Sequence, residues 1–161
     1  MALAISLGRR NLGQTSPNPS VGCVIVKNDV IVGRGYTAPN GRPHAETLAL
    51  EQAGSAAKGA TVYITLEPCS HEGKTPPCAH ALVKAGIKRA VIAAIDPDIR
   101  VNGKGISILE AAGIEVKVGV LSDQASLDHA GFFFSQSECR PWITLKPVSY
   151  THLTLPTNRE V

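Results

Sequence analysis

Long apolar runs and cysteines are both scarce in this sequence. No apolar stretch approaches the length of a membrane span, so we predict no transmembrane helix. The first residues place two arginines after the apolar residues rather than before them, an order unlike that of a secretory signal. Four cysteines in 161 residues are too few for a disulfide framework. We therefore expect a cytoplasmic protein, in which a cysteine pair indicates metal binding or catalysis.

Excess charge, internal repeats and low-complexity segments are lacking as well. The formal net charge is only +3, which gives no reason to expect a nucleic-acid or membrane partner. Hydrophobic residues make up 43% of the chain and charged residues 18%, a composition typical of a folded globular protein rather than a disordered one. The length is sufficient for one domain with a substantial core.

What the sequence does contain is an alternation of helix and strand patterns. A short N-terminal helix precedes a β-hairpin, "VGCVIV" and "VIVGRGY", with its turn at Asn28 and Asp29. Three helix-then-strand units and a last helix follow. Such alternation predicts an α/β fold, with parallel strands covered by helices on both faces and sites at the carboxyl ends of strands. The predicted helices are 2–12, 44–54, 77–86, 105–113 and 122–138, and the later strands are 60–67, 89–95 and 114–120.

Candidate metal ligands fall at strand ends and helix starts. His44 opens the second helix, Cys69 follows a strand, and Cys78 begins the third helix. One imidazole and two thiolates suit Zn²⁺, and helix N-termini favour thiolates. Three protein ligands leave the fourth tetrahedral position open for water, which is typical of a catalytic zinc. Glu46 follows His44 by two residues and could carry the water's proton, so "HAE" with "PCSHEGKTPPC" matches the zinc nucleobase deaminase arrangement.

Longer segments carry a more specific resemblance. The sequence closely resembles the deaminase domain of the riboflavin-biosynthesis pyrimidine deaminase/reductase family over roughly residues 1–147. That resemblance implies a three-layer α/β/α cytidine-deaminase-like fold with a central mixed sheet. It also implies zinc-dependent hydrolytic deamination of 2,5-diamino-6-ribosylamino-4(3H)-pyrimidinone 5′-phosphate, with release of ammonia. The matching segments are "SPNPSVGCVIV", "GRPHAE", "TLEPCSHEGKTPPCAHALVKAGIKRAVIA", "DPD" and "NGKGISILEAAGIEVKVGVL".

The resemblance assigns further residues to the substrate. The eight-residue gap between the two cysteines is wider than in a compact metal knuckle. In the family, the residues matching His71 and Lys74 in this gap face the bound substrate, and Asn18 and Asp96 match further positions near it. Charged and hydrogen-bonding groups suit a phosphoribosyl substrate, and an asparagine amide can pair with a pyrimidinone edge.

Several alternatives stay open at this point. The zinc could be structural, with His71 or His80 as a fourth ligand. Glu46 could be an acidic residue favoured in the first turn of a helix, and Lys74 a solvated loop residue. Asn18 could be a turn residue and Asp96 a cap. A zinc deaminase of another nucleobase or nucleotide, such as deoxycytidylate or guanine, and a non-catalytic zinc-stabilised module are the rival functions.

The resemblance also predicts how the chain is divided. Residues 1–139 are expected to form the zinc-dependent pyrimidine deaminase domain. Residues 140–147, "RPWITLKP", resemble the start of a reductase domain, whereas 148–161 fit neither domain and read as a non-native tail. We therefore expect the full-length protein to carry a reductase domain that this sequence lacks, and we expect no NADPH binding here. A homo-oligomer acting on a small-molecule substrate is the expected state.

Overall fold

A computed structural model of the chain describes residues 1–71, 76–97, 102–138 and 140–145. Within these residues, one five-stranded sheet lies at the centre of the molecule. The strands are β1 (Gly22–Lys27), β2 (Val30–Tyr36), β3 (Thr61–Leu66), β4 (Arg89–Ala94) and β5 (Glu115–Val118). The helices are α1 (Ala2–Gly8), α2 (Ala45–Ala53), α3 (Cys78–Lys84), α4 (Lys104–Ala111) and α5 (Ser122–Glu138), with short 3₁₀ turns at Arg9–Asn11, Pro39–Gly41 and Gly54–Ala57.

The sheet is mixed, in the order β2-β1-β3-β4-β5. Strand β1 is antiparallel to both β2 and β3, whereas β3, β4 and β5 are parallel. The parallel half follows from the helix-then-strand units, because each crossover helix returns the chain to the same end of the sheet. The predicted α/β fold with a central mixed sheet is confirmed.

The hairpin turn lies where the sequence predicted it. Asn28 and Asp29 have φ values of 50° and 60°, the left-handed conformation that a two-residue turn between twisted strands requires. Asn and Asp tolerate this conformation better than most residues with a side chain. The turn therefore lets β2 fold back and pair with β1 in the antiparallel register observed.

Alternate residues of β1 face opposite layers. Cys23 and Ile25 are fully buried in the main core, whereas Val24 packs with Ala4 and Leu7 of α1 on the other face. This alternation is the period-two pattern of a strand covered on both sides. Strands β3 and β4 are apolar and buried along most of their length, as is typical of parallel strands between helical layers. None of the helices in the described part of the chain has both the length and the hydropathy that a membrane crossing requires.

Helix α2 approaches the sheet unusually closely because β2 contains glycines at the contact. A Cβ atom at Gly35 would lie 2.2 Å from the carbonyl oxygen of Ala45, and one at Gly33 would lie 2.2 Å from that of Ala49. Either side chain would force the helix away from the sheet, since such contacts are far inside van der Waals distance. The two glycines therefore set the distance between α2 and the sheet. That distance in turn determines where the His44 and Glu46 side chains lie at the start of the helix.

Candidate active site

Three potential metal ligands meet at the carboxyl edge of the sheet. His44 precedes α2 in extended conformation, Cys69 follows β3, and Cys78 is the first residue of α3. The Nδ1 atom of His44 lies 3.4 Å from the Sγ atom of Cys78 and 3.8 Å from that of Cys69. All three ligand atoms lie within 4.8 Å of one another. Tetrahedral zinc with ordinary bond lengths separates a nitrogen and a sulfur ligand by about 3.5 Å, so donor set and spacing fit zinc.

The group is not closed by a fourth ligand from the described residues. The metal-ligating group found there contains only His44, Cys69 and Cys78. His71 and His80, the two residues that could have completed a structural site, are both exposed and lie outside the group. This arrangement favours an open coordination position over a structural site.

The two thiols differ in how readily they ionise. The Cys69 pKa is lowered to about 4, first by a hydrogen bond from the Cys78 side chain, and the backbone N–H of Cys78 also donates to its sulfur at 3.3 Å. The pKa of Cys78 is raised, because its proton is held by Cys69 and because it is buried. The pKa of His44 is raised through its hydrogen bond with Cys69. One thiolate thus forms easily, and a divalent cation supplies the charge that a second one needs.

Glu46 lies in the first turn of α2 and is only 4% exposed. Its pKa is raised to about 7, chiefly by burial and further by the charge of Cys69. A carboxyl group with such a pKa can both accept and return a proton near neutral pH. It does not belong to the three-ligand group, and its role as proton carrier rather than metal ligand stays a prediction.

One cavity of about 230 Å³ brings most of the predicted site residues together. Its wall includes His44, Glu46 and Cys69, and Cys78 completes the ligand group beside it. Of the residues predicted to meet the substrate, Asn18, His71 and Asp96 also line the cavity. Lys74, the fourth, lies outside the described residues.

The lining residues differ in how firmly they are held. The side-chain amide of Asn18 donates to the carbonyl oxygen of Gly41 at 2.8 Å, and its nitrogen lies 3.4 Å from Nε2 of His44. Asn18 therefore also holds the loop that precedes His44. It approaches the Nε2 atom of the imidazole, whereas the two cysteines lie near Nδ1. Asp96 is buried two residues after the end of β4, whereas His71, which also lines the cavity, is exposed.

Sequence reasoning missed several cavity residues. Arg42 stands two positions before His44 in "GRPHAE" and lines the cavity, and its positive charge works against the rise in the pKa of His44. Because Arg42 lies so close to "HAE" in the sequence, a cation at the site could have been predicted from it. Phe132 and Gln136 come from α5, far along the chain, and no local pattern marks them. Thr37 and Glu67 also line the cavity.

Comparison with known proteins agrees with this geometry. The family model described as the cytidine and deoxycytidylate deaminase zinc-binding region matches residues 1–94. The chain belongs to this zinc-binding deaminase family. The match covers α1 through β4 and therefore includes all three members of the ligand group and Glu46.

Curated relatives show to which branch of the deaminase family the chain belongs. The riboflavin biosynthesis protein RibD of Aquifex aeolicus is 53% identical over 146 residues, which is 91% of this chain and 41% of that protein. A protein of Buchnera aphidicola subsp. Schizaphis graminum, named diaminohydroxyphosphoribosylamino-pyrimidine deaminase, is 50% identical over 133 residues, 83% of this chain and 90% of that protein. The chain thus belongs to the riboflavin-biosynthesis branch of the deaminase family.

A solved structure of this branch confirms the fold. Acinetobacter baumannii RibD, form 2, superposes with a TM-score of 0.84 at 52% identity, covering 88% of this chain and 40% of that one. The predicted three-layer cytidine-deaminase-like fold is therefore confirmed. The chain spans about two fifths of the length of the RibD relatives it matches.

Proposed function

We propose that this chain catalyses the zinc-dependent hydrolytic deamination of 2,5-diamino-6-ribosylamino-4(3H)-pyrimidinone 5′-phosphate in riboflavin biosynthesis, releasing ammonia. The observation that carries the proposal is the cavity in which buried Glu46 stands beside the group formed by His44, Cys69 and Cys78. Identity of 50% across nine tenths of a protein named as a diaminohydroxyphosphoribosylamino-pyrimidine deaminase supports the choice of substrate.

The ligand group would hold zinc through Nδ1 of His44 and the two cysteine sulfurs. When bound, the zinc would supply Lewis-acid chemistry that makes water more acidic. The low pKa of Cys69 and the backbone N–H donated by Cys78 favour the thiolate form that a metal ligand requires.

Glu46 is the proposed proton carrier. Its carboxylate accepts a proton from the attacking water and then passes protons to a ring nitrogen and to the departing amine. The water oxygen replaces the 2-amino nitrogen, which leaves as ammonia. Burial keeps the two protonation states of Glu46 close in free energy near neutral pH, which is the condition for transfer in both directions. General acid–base catalysis of this kind contributes about 10²- to 10⁴-fold in rate.

The remaining cavity residues are proposed to bind and orient the substrate. Asn18 offers an amide to the pyrimidinone edge, and Asp96 and His71 offer polar atoms on the other walls. Lys74 and Arg42 are the cations proposed to meet the ribosyl phosphate. Arg42 lines the cavity, which supports its inclusion.

The domain division stays a proposal, with residues 1–139 as the deaminase domain and 140–147 as the start of a reductase domain. The name of one solved relative, from Thermotoga maritima, joins the deaminase to a reductase, and the present chain covers 41% of it. A cytoplasmic location and a homo-oligomeric state are proposed with it.

Ammonia release tests the function. Zinc-loaded protein is incubated separately with the aminopyrimidine ribophosphate, cytidine, deoxycytidylate and guanine. We expect stoichiometric ammonia from the aminopyrimidine ribophosphate alone. Ammonia from deoxycytidylate or guanine instead would move the chain to another substrate class. No ammonia from any of the four, with zinc still bound, would identify a non-catalytic zinc module.

A further inference from the structure

A third buried acidic residue at the cavity, beside Glu46 and Asp96, has no part in the proton transfer described above. Glu67 is 4% exposed, follows the last residue of β3 and lines the cavity wall. Both of its carboxylate oxygens are occupied. Oε1 accepts the backbone N–H groups of Gly105 at 2.9 Å and Ile106 at 3.3 Å. Oε2 accepts those of Gly103 at 3.0 Å and Asp96 at 3.4 Å.

These four bonds explain how a carboxylate can be buried there. The first N–H groups of a helix have no partner within the helix, and α4 begins at Lys104. Gly103, which precedes the helix, has no side chain with which to cap it and adopts φ 77°. Glu67 therefore caps α4 from another element, and the helix dipole and charge-assisted hydrogen bonds stabilise its negative charge.

The start of α4 is also pressed against the segment that carries a cysteine of the ligand group. A Cβ atom at Gly105 would lie 2.1 Å from the carbonyl oxygen of Pro68 and 3.2 Å from Cγ of Glu67. Pro68 immediately precedes Cys69. Glu67 thus joins three segments: the end of β3 with Cys69, the end of β4 with Asp96, and the beginning of α4.

We propose that Glu67 is a positioning residue that holds Asp96 at the cavity in fixed register with Cys69. The proposal rests on the proposed function, because the consequence for catalysis passes through Asp96 and its contact with the substrate. Glu67→Gln keeps the shape of the side chain but turns an NH₂ group toward backbone N–H donors. We expect the Asp96 segment to lose part of its anchor and both cysteines to remain in place.

A double-mutant cycle tests the route through Asp96. The variants are Glu67→Gln, Asp96→Ala and the double variant, each assayed for zinc content, kcat and KM with the aminopyrimidine ribophosphate. We expect Glu67→Gln to keep one zinc per chain and to raise KM by about tenfold, with a change in kcat of less than about threefold. The KM of the double variant should be no higher than that of Asp96→Ala alone. Fully additive effects on KM would overturn the proposal.

Two controls separate positioning from general weakening of the fold. Glu110→Gln removes the same charge from the exposed surface of α4 and should leave KM unchanged. Leu109→Ala weakens the buried face of α4 and should lower Tm without the KM change. If Leu109→Ala raises KM as much as Glu67→Gln does, Glu67 has a merely structural role.

Backbone amide hydrogen exchange tests the anchor without relying on a variant or a substrate. In the zinc-loaded wild type, the amides of Asp96, Gly105 and Ile106 should be protected. Unprotected exchange at these amides would overturn the proposal even if Glu67→Gln fails to fold. If the wild type releases no ammonia from the aminopyrimidine ribophosphate but these amides are protected, the proposed function fails and the anchor stands.

Discussion

The Nδ1 atom of His44 lies 3.4 Å from the Sγ atom of Cys78, although the two residues are 34 positions apart in the chain. The imidazole belongs to the loop before α2, and the sulfur belongs to the first residue of α3. The glycines of β2 allow α2 to pack directly on the sheet. The other cysteine, Cys69, follows β3 at the same edge of the sheet. The fold therefore brings together ligands that the sequence carries in separate local motifs.

Removing either cysteine should remove the metal. Cys69→Ser and Cys78→Ser each leave two strong ligands, which is too few for a stable zinc site in proteins. We expect zinc content to fall from about one per chain to near zero and Tm to fall with it, since metal binding is linked to folding. Elemental analysis and thermal unfolding measure the two effects.

Cys23→Ala is the matched control for this prediction. Cys23 is fully buried in β1 and does not belong to the ligand group. The Cys23→Ala variant should be somewhat less stable than the wild type, as expected for a core substitution, and should keep its zinc. Full zinc retention in both serine variants would refute the ligand assignment.

Glu46→Gln should separate zinc binding from catalysis. The amide fills the same buried position but cannot accept a proton from water, so activity should fall by about a hundredfold or more while zinc and Tm are kept. Glu51→Gln, at an exposed position of the same helix, should retain full activity. A loss of less than about tenfold in Glu46→Gln would mean that another group carries the proton.

Much of this site could be predicted because its chemistry is encoded locally. His44 and Glu46 are two residues apart, and helix geometry alone places both at the start of α2. Cys69 and Cys78 fall at a strand end and a helix start, where sites form in α/β sheets. The turn at Asn28 and Asp29 was likewise readable, because few residue types adopt its backbone conformation.

The residues that escaped prediction depend on packing between distant segments. Phe132 and Gln136 reach the cavity only because α5 lies alongside the sheet. In the sequence, Glu67 is only an acidic residue at the end of a strand. Its contact with the start of α4 is visible only in the folded structure. Strand order was inaccessible for the same reason, because hydrophobic patterns identify strands but do not specify which strands are neighbours.

Lys74→Ala should weaken binding of the phosphorylated substrate by about 1.5–3 kcal/mol, the range for a charged hydrogen bond. The effect should shrink in high salt, because any exposed part of the attraction is screened. A dephosphorylated analogue should bind wild type and variant nearly equally if Lys74 meets the phosphate. Equal weakening of both compounds would assign Lys74 to the ribose, the base or the shape of the loop.

Arg42→Ala, measured in the same assays, identifies which cation meets the phosphate. Arg42 is part of the cavity wall, so its loss should also raise KM. If Arg42→Ala shows the phosphate-selective, salt-sensitive loss and Lys74→Ala shows none, the phosphate lies on the Arg42 side. The wide cysteine spacing would then need another explanation.

His129 should make the folded state sensitive to moderate acid. It is 2% exposed on α5, with Nε2 3.2 Å from Oγ1 of Thr65 in β3. Burial lowers its pKa to about 4, against an ordinary value of 6.5. Between these two values the unfolded chain binds a proton that the folded chain excludes. The free energy of unfolding should therefore be highest above pH 6.5 and fall by about 3 kcal/mol as the pH approaches 4.

His129→Gln isolates this contribution, because glutamine keeps an amide near Thr65 but does not titrate. Denaturant unfolding of zinc-loaded wild type and variant, repeated between pH 7.5 and 4.5, gives the difference in stability at each pH. Loss of zinc at low pH affects both proteins and largely cancels in that difference. The difference should shift against the wild type by about 2–3 kcal/mol over this range. If it stays constant with pH, His129 is not the acid-sensitive group, and the buried imidazole must be able to accept a proton without disturbing the packing of α5 on β3.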